Sequence, residues 1–580
     1  MNHLVCKSVL RKQVNCSNIN RMNNFEQEEI NGEFMEFAIQ ESIQDSYKQP
    51  RNRKESNSKN FMKIMAAIHK GDVLSLQQHQ QHQCCFIERD SRGWLPLHSA
   101  AVHPHTQVLE AVLQASTELT LEELTANGDT ALILAVEAGL VDNVTALLKH
   151  GVSPHNTNDR NESPLLLAVR QKSYEMAFAL IMGGAFVEQV CLKKWTAIHE
   201  VAKVNSGLSC HSDASASTWA KVTSRDGHGV TPLGIAAEHG NTEVLEILIQ
   251  HGGDVNAQAT NGDTVYPNVQ SNAFQLPVHR AAYEGHILAL RTLLPLTTKR
   301  AIRVSGHSPV HAATDGGQPQ CLQLLIDKGF NVNVLLESHM SENYGDLRRS
   351  PLYFAVCNGD MTCAQMLLEA GARSDLDPLR CILVAIRAER YELVRLLFSY
   401  GADVNCYFNA ICHTVFPTGL QYCLKDPLML RLLLNSGYDA NKCFQCCCGV
   451  SEELDSTWAD LHNQAYQIYS QPEAITFCEF VSVSCLKLHV GGVVRTLLDY
   501  VSQVNLCPKL QQILEDRPEW EDISSILSSP RSLQHLCRLV LRGRISPKIL
   551  NNPGAMSEVP LPPRVKNYLT YKEYDIIGDF

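Results

Sequence analysis

The chain has 580 residues, 44% of them hydrophobic and 19% charged, with a net charge of −11. This is a globular composition, long enough for about four domains at roughly 150 residues each, and its acidic balance argues against a general nucleic-acid-binding surface. No stretch approaches 18 uninterrupted apolar residues, so no membrane span is expected. The opening MNHLVCKSVLRKQVNCSNINRMNN breaks its apolar residues with Lys, Arg, Asn and Ser, unlike a secretory signal. The 21 cysteines are irregularly spaced, a usage that suits reduced thiols and a cytoplasmic location.

Residues 1–60 read as a leader. Within it, FEQEEINGEFMEFAIQESIQD (25–45) is acidic, and the polar KQPRNRKESNSKN that follows reads as a linker. Met35, Ala38 and Ser42 are spaced i, i+3, i+7 on a predicted helix, which is similar to a ubiquitin-interacting motif. There a central Ala lets a single helix approach a flat apolar patch. The acid run is interrupted by Ile30-Asn31-Gly32, so an ordinary amphipathic leader helix is the competing reading.

From Phe61 to about residue 510 the chain repeats itself. LPLHSAA (from Leu95), TPLGIAAEHG (Thr231), LPVHRAAYEG (Leu276) and SPVHAATDGG (Ser308) share one pattern. Its proline position recurs at 96, 131, 164, 197, 232, 277, 309, 351, 381 and 417. Thr or Ser caps a first helix, Pro sits in its first turn where no N–H is needed, and paired alanines allow close helix approach. Gly139, Gly240, Gly285, Gly317 and Gly359 fall eight residues after the proline position; Gly151, Gly184, Gly252, Gly329, Gly371, Gly401 and Gly437 fall twenty after it. Those are the ends of a first and a second helix. The pattern resembles ankyrin repeats, and the expected fold is an all-α solenoid of about ten to twelve repeats, some degenerate. Irregular segments are expected at 206–224, 261–274, 338–349 and 443–475. The first lacks the Leu-Leu of a second helix, and the third reads as a loop insertion.

After Ser528 the period stops. SPRSLQHLCRLVLRGRI places Leu533, Cys537 and Leu541 at i, i+4, i+8 on one helix face, and VPLPPRVKNYL follows from Val559. Alone, an apolar stripe on a short helix is more often core packing, here a cap on the preceding stack. The combination of stripe, Pro-rich turn and chain end resembles the SOCS box, a small three-helix module placed here at 525–580. A chain of ankyrin repeats ending this way looks like the ankyrin-repeat and SOCS-box family. The resemblance implies a non-catalytic substrate-recognition subunit of a ubiquitin ligase. Leu533, Cys537 and Leu541 would bind elongin B/C, while Val559, Pro560, Leu561, Pro562, Val565 and Tyr568 would bind cullin 5 with its RING partner. The ankyrin array would hold a protein substrate. An ankyrin scaffold without ligase recruitment is the alternative.

For that substrate, Trp94 and Trp195 stand at the tips of ankyrin fingers, as interface anchors or as packing between fingers. Glu137, Glu238, Glu284 and Asp315 fall at the ends of first helices and predict an acidic groove, with an ordinary solvated face as the competing reading. The crowded Cys443, Cys446, Cys447 and Cys448, with His462 beyond, lacks the separated pairs of a zinc site and reads as reduced thiols. No metal or cofactor is expected. His98, His279 and His311 are expected to hydrogen-bond backbone between repeats, and no P-loop, Rossmann or G-x-S-x-G pattern appears.

Overall fold

The computed structural model describes residues 51–204, 221–259, 275–341, 344, 348–408, 413–446 and 474–574. The candidate ubiquitin-binding residues Met35, Ala38 and Ser42 lie outside them, as do most of 206–224, all of 261–274 and much of 443–475. The chain divides into two units, at Asp263 and Thr264.

The first unit opens with the helices Arg51–Lys70 and Val73–His79, so helix begins ten residues before Phe61, inside the stretch read as linker. Nothing between Arg51 and Asn60 is Pro or Gly, and its Arg, Lys, Glu and Asn residues suit a solvated helix. First helices follow at Pro96–Ala101, Ala131–Glu137, Pro164–Arg170, Ala197–Lys203 and Pro232–Glu238. Each starts at its expected proline position. Second helices run Thr106–Ala115, Val141–Lys149, Tyr174–Met182 and Thr242–Gln250. First helices from Pro96 to Pro232 pack in succession on one another, and the second helices from Thr106 to Met182 form a parallel row. The two rows bury a continuous core from Phe61 to Ala197.

Between repeats the backbone makes a tight finger. Residue pairs 90/94, 125/129, 158/162, 191/195 and 226/230 close it with an N–H donated to a carbonyl at 2.8, 2.9, 3.2, 3.0 and 3.0 Å. Side chains cap the helices as expected: Thr130, Ser163 and Thr231 hydroxyls accept the N–H of Ile133, Leu166 and Gly234.

The second unit continues the same architecture through first helices Pro277–Glu284, Pro309–Asp315, Pro351–Asn358, Cys381–Arg387 and Gly419–Cys423. Their partners are Ile287–Leu293, Pro319–Asp327, Met361–Glu369, Tyr391–Ser399 and Pro427–Asn435. Phe477–Val481 and Val490–Leu497 add a last short pair, and Pro508–Glu515 with Trp520–Ser528 closes that end of the stack through buried Leu510, Leu514 and Ile523. Part of the 338–349 insertion is not loop: Ser338–Ser341 is helical, and Met340 is buried with Leu336 and Phe354 while Tyr344 packs alongside. Leu336, Met340 and Tyr344 are spaced i, i+4, i+8, enough for a small satellite core.

Every glycine of the two expected series has positive φ, between 64° and 99°. Lys172 (φ 61°) and Glu389 (φ 55°) occupy the same eighth position in their repeats without being glycine. Both side chains are exposed. A left-handed L-residue costs roughly 1–2 kcal/mol, whereas glycine loosens the unfolded chain by about 0.4–1 kcal/mol. Lys172→Gly and Glu389→Gly should therefore each stabilise their unit by roughly 0.5–1 kcal/mol in urea unfolding. A lower unfolding midpoint in either variant would contradict this account of the turn.

Candidate docking site

The helix Leu533–Arg544 begins at Ser532, whose hydroxyl accepts the His535 N–H at 3.2 Å. It carries two incompatible faces. On one lie Leu533, Leu536, Cys537, Val540 and Leu541, spaced i, i+3, i+4, i+7, i+8, and all exposed. Leu533 is 77% exposed and Val540 64%. The competing reading, that Leu533 and Cys537 cap the stack, fails on this exposure. Leu536 and Val540 complete the stripe at positions the sequence reading left out, although the i+3 and i+7 spacing was there to see.

The opposite face is cationic and buried. Arg538, 4% exposed, lies 3.3 Å from the ring centre of Tyr568 and 4.2 Å from that of Tyr571, and pairs with Glu573. Arg542 lies over Tyr571 at 4.8 Å and donates to the carbonyls of Leu569 and Asn435. Arg431, from the helix Pro427–Asn435, lies 4.5 Å over Tyr574 and pairs with Asp499 at 2.8 Å. The His535 ring meets the Val501 carbonyl at 2.8 Å, and Asn551 donates to the Ser436 carbonyl at 3.2 Å. Arg431 stacked on Tyr574, together with the hydrogen bonds of His535, Arg542 and Asn551, thus fastens this module to the repeats before it, while Arg538 stacks on the module's own Tyr568 and Tyr571. Searching for apolar periodicity alone could not find it.

Short helices Pro547–Leu550 and Pro553–Glu558 lead to the VPLP segment, and Pro563–Leu569 completes the module. Val559, Leu561 and Val565 pack against the small core of Leu550, Met556 and Leu569. Pro560 and Pro562 are exposed between them. Tyr568 lies under Arg538 instead of beside the two prolines. The six expected cullin-facing residues therefore split into four that build the module and two that face outward.

The finger tryptophans are half-buried ring partners. Trp94 meets the His98 ring edge-on at 6.5 Å, beneath Arg92. Trp195 stacks on His199 at 5.9 Å and donates its Nε1–H to Asp226 of the next finger at 3.3 Å. His307 stands at the same position of its own finger and stacks on His311 at 5.5 Å. The geometry favours packing between fingers over anchoring a partner.

Of the four acids, Glu137 and Glu238 belong to the first unit, Glu284 and Asp315 to the second. Glu137 and Glu284 are exposed. Glu137 is exposed, yet partial desolvation of its carboxyl, reinforced by Asp129 and Glu162, lifts it; burial lifts that of Asp315 against the pull of Arg348. Arg170, paired with Glu162 at 2.8 Å and near Glu200 at 3.4 Å, offsets part of the charge in the first unit. An exposed apolar row went unnoticed in the sequence: Tyr174, Phe178 and Met182 at i, i+4, i+8 on a second helix, with Phe186 stacked on His155 at 3.8 Å. No described helix is long and apolar enough to cross a membrane.

Comparison with known proteins agrees with this construction. The SOCS box family model matches residues 529–570. The ankyrin-repeat model matches 49–159, 118–191, 165–259 and 332–407, and a single-repeat model matches 305–335. The chain is 39% identical to mouse ankyrin repeat and SOCS box protein 14 over 90% of its own length and 91% of that protein's. It is 40% identical to the human protein of the same name over 95% and 97%. It is 32% identical to human ankyrin repeat and SOCS box protein 2 over 48% and 44%. A helical repeat array with buried TPLH-type heads, closed by a module that presents an apolar helix face, belongs to the ankyrin-repeat and SOCS-box family, the architecture of a substrate adaptor for cullin–RING ubiquitin ligases.

Proposed function

We propose that this chain is the substrate-recognition subunit of an elongin B/C–cullin-5–RING ligase, with no catalysis of its own. The observation that carries this reading is the five-residue apolar stripe. It stays in solvent on a helix whose other face is already committed to Arg538 and Arg542. An apolar face that the protein's own fold leaves open is what a pocket on a partner requires. Leu533 would be the main anchor, and Cys537 is small enough to let the partner approach while remaining apolar. Pro560 and Pro562 stiffen an exposed turn, which lowers the ordering cost of binding. The acids Glu137, Glu238, Glu284 and Asp315, and the exposed Tyr174–Phe178–Met182 row, are the surfaces this reading offers to a protein substrate.

Tagged full-length chain co-expressed with elongin B/C and cullin 5 should retain both through purification in stoichiometric amounts. Absence of elongin would favour the plain scaffold. Pro560→Ala/Pro562→Ala should leave elongin bound while weakening cullin 5 by about tenfold, the loss of roughly one well-packed contact. Leu561→Ala is a poor probe because that side chain packs into the module's own core. Equal loss of elongin and cullin 5 in the proline variant would mean the turn supports the module rather than the partner.

A further inference from the structure

The cysteine-rich stretch near residue 446 takes a different form in three dimensions from the one its sequence suggests. Cys443, the first half of the Cys-x-x-Cys pair, is fully buried beside Tyr438. Cys446 instead meets two cysteines distant in sequence. Its sulfur lies 3.2 Å from that of Cys478, and the sulfurs of Cys446, Cys478 and Cys507 all lie within 4.8 Å of one another. Cys446 follows the turn Ala440–Phe444, Cys478 sits in the first turn of Phe477–Val481, and Cys507 caps the helix Pro508–Glu515.

Three features distinguish this group from thiols that merely share a core. Two of the three sit in half-exposed positions, where an ion and its fourth ligand can enter. The fifteen described cysteines contribute no other such cluster. A neighbouring polar group is also in place, since the Thr476 hydroxyl lies 3.2 Å from the Cys478 sulfur. Tetrahedral thiolate zinc has bonds of about 2.3 Å, so its sulfurs stand roughly 3.8 Å apart; the Cys446–Cys478 pair at 3.2 Å is within a few tenths of an ångström of that spacing, and all three sulfurs lie within 4.8 Å of one another. Thiolates also exclude magnesium and calcium, which take oxygen ligands.

We propose that Cys446, Cys478 and Cys507 bind one zinc ion, with water in the fourth position. Binding exchanges three thiol protons for the ion and involves no change of oxidation state. Its role is structural: the ion ties the turn at 440–446 to the helices at 477–481 and 508–515. It thereby joins three segments near the end of the repeat stack, the last of them opening the closing helix pair. This inference does not depend on which ligase partners the module takes.

The test uses full-length protein purified under reducing, chelator-free conditions. Elemental analysis should find close to one zinc per chain. Cobalt(II) loaded in its place should give the intense near-ultraviolet absorption of thiolate ligation. Cys446→Ser, outside any helix, and Cys478→Ser/Cys507→Ser should reduce both signals to background. Cys485→Ser, an exposed cysteine outside the cluster, should change neither. A chelator should lower the melting temperature of the parent chain and not that of the variants. Zinc at background in the parent with no cobalt band would overturn the proposal. So would full zinc retention in the Cys446→Ser and double variants, or an intact mass two hydrogens light from a Cys446–Cys478 disulfide.

Discussion

Capture of elongin B/C by the full-length chain should fall at least tenfold for Leu533→Ala and be lost for Leu533→Ala/Cys537→Phe. Leu533 is 77% exposed in the unbound chain, so almost all of its burial is realised on binding. Burying a leucine is worth roughly 1.5–3 kcal/mol, and each 1.4 kcal/mol is about a factor of ten in affinity. A bulky ring at Cys537 adds a steric block at the point of closest helix approach. Because neither side chain touches the module's core, both variants should melt at the parent temperature. Loss of capture can then be read as loss of contact. Undiminished capture by the double variant, measured by quantitative pull-down, would remove the stripe from the interface.

The second large effect is on stability. Three histidines are packed in series in the second unit: His279 and His307 have ring centres 5.0 Å apart, and His307 and His311 5.5 Å. The Nδ1 atoms of His279 and His311 accept the N–H of Leu276 and Ser308, and His311 Nε2 meets the Arg349 carbonyl at 2.9 Å. That pattern needs neutral rings. Burial pushes His279 down to about 3 and His311 to about 4, and holds His307 well below its ordinary value of 6.5. With folded values below the unfolded one, the unfolded chain takes up the protons as pH falls. The stabilisation is therefore complete above pH 6.5 and is lost progressively from there towards pH 4 and below. At pH 5.5 each ring has forfeited on the order of 1 kcal/mol, a few kcal/mol for the three together. Hydrogen exchange of the helices Pro277–Glu284 and Pro309–Asp315 should accelerate several-hundred-fold between pH 7.5 and 5.5, after correction for intrinsic rates. His307→Gln should flatten that dependence by about a third. A pH-independent protection factor would mean the rings titrate normally.

The repeat was legible because its signals are local. Ser and Thr caps, prolines in first turns and glycines in left-handed turns act within a few residues, so each repeat states its own boundaries. Lys172 and Glu389 show where that legibility stops: the backbone keeps its conformation after the glycine has gone, because the helices on either side determine it. The apolar stripe of the C-terminal helix was readable from spacing, but its exposure was not. Whether Leu533 faces a partner or the stack depends on Arg538 finding Tyr568 and Tyr571, some 30 residues on. The meeting of Cys446 with Cys478 and Cys507 is likewise a product of stacking, which a scan for paired cysteines passes over.

The contacts of Arg542 with Asn435 and of Asn551 with Ser436 span 107 and 115 residues of sequence. The C-terminal module is therefore clamped directly to the repeats from Pro427 onward, with no free tether between them. Under the adaptor reading, a substrate seated on those repeats is carried on a rigid bracket. The ubiquitin-charged end of the ligase would sweep a bounded zone, as a crane arm does, instead of searching at random. Which lysines are modified then becomes a question of where they stand in space. Two substrates with the same docking segment but differently placed lysines would meet different fates.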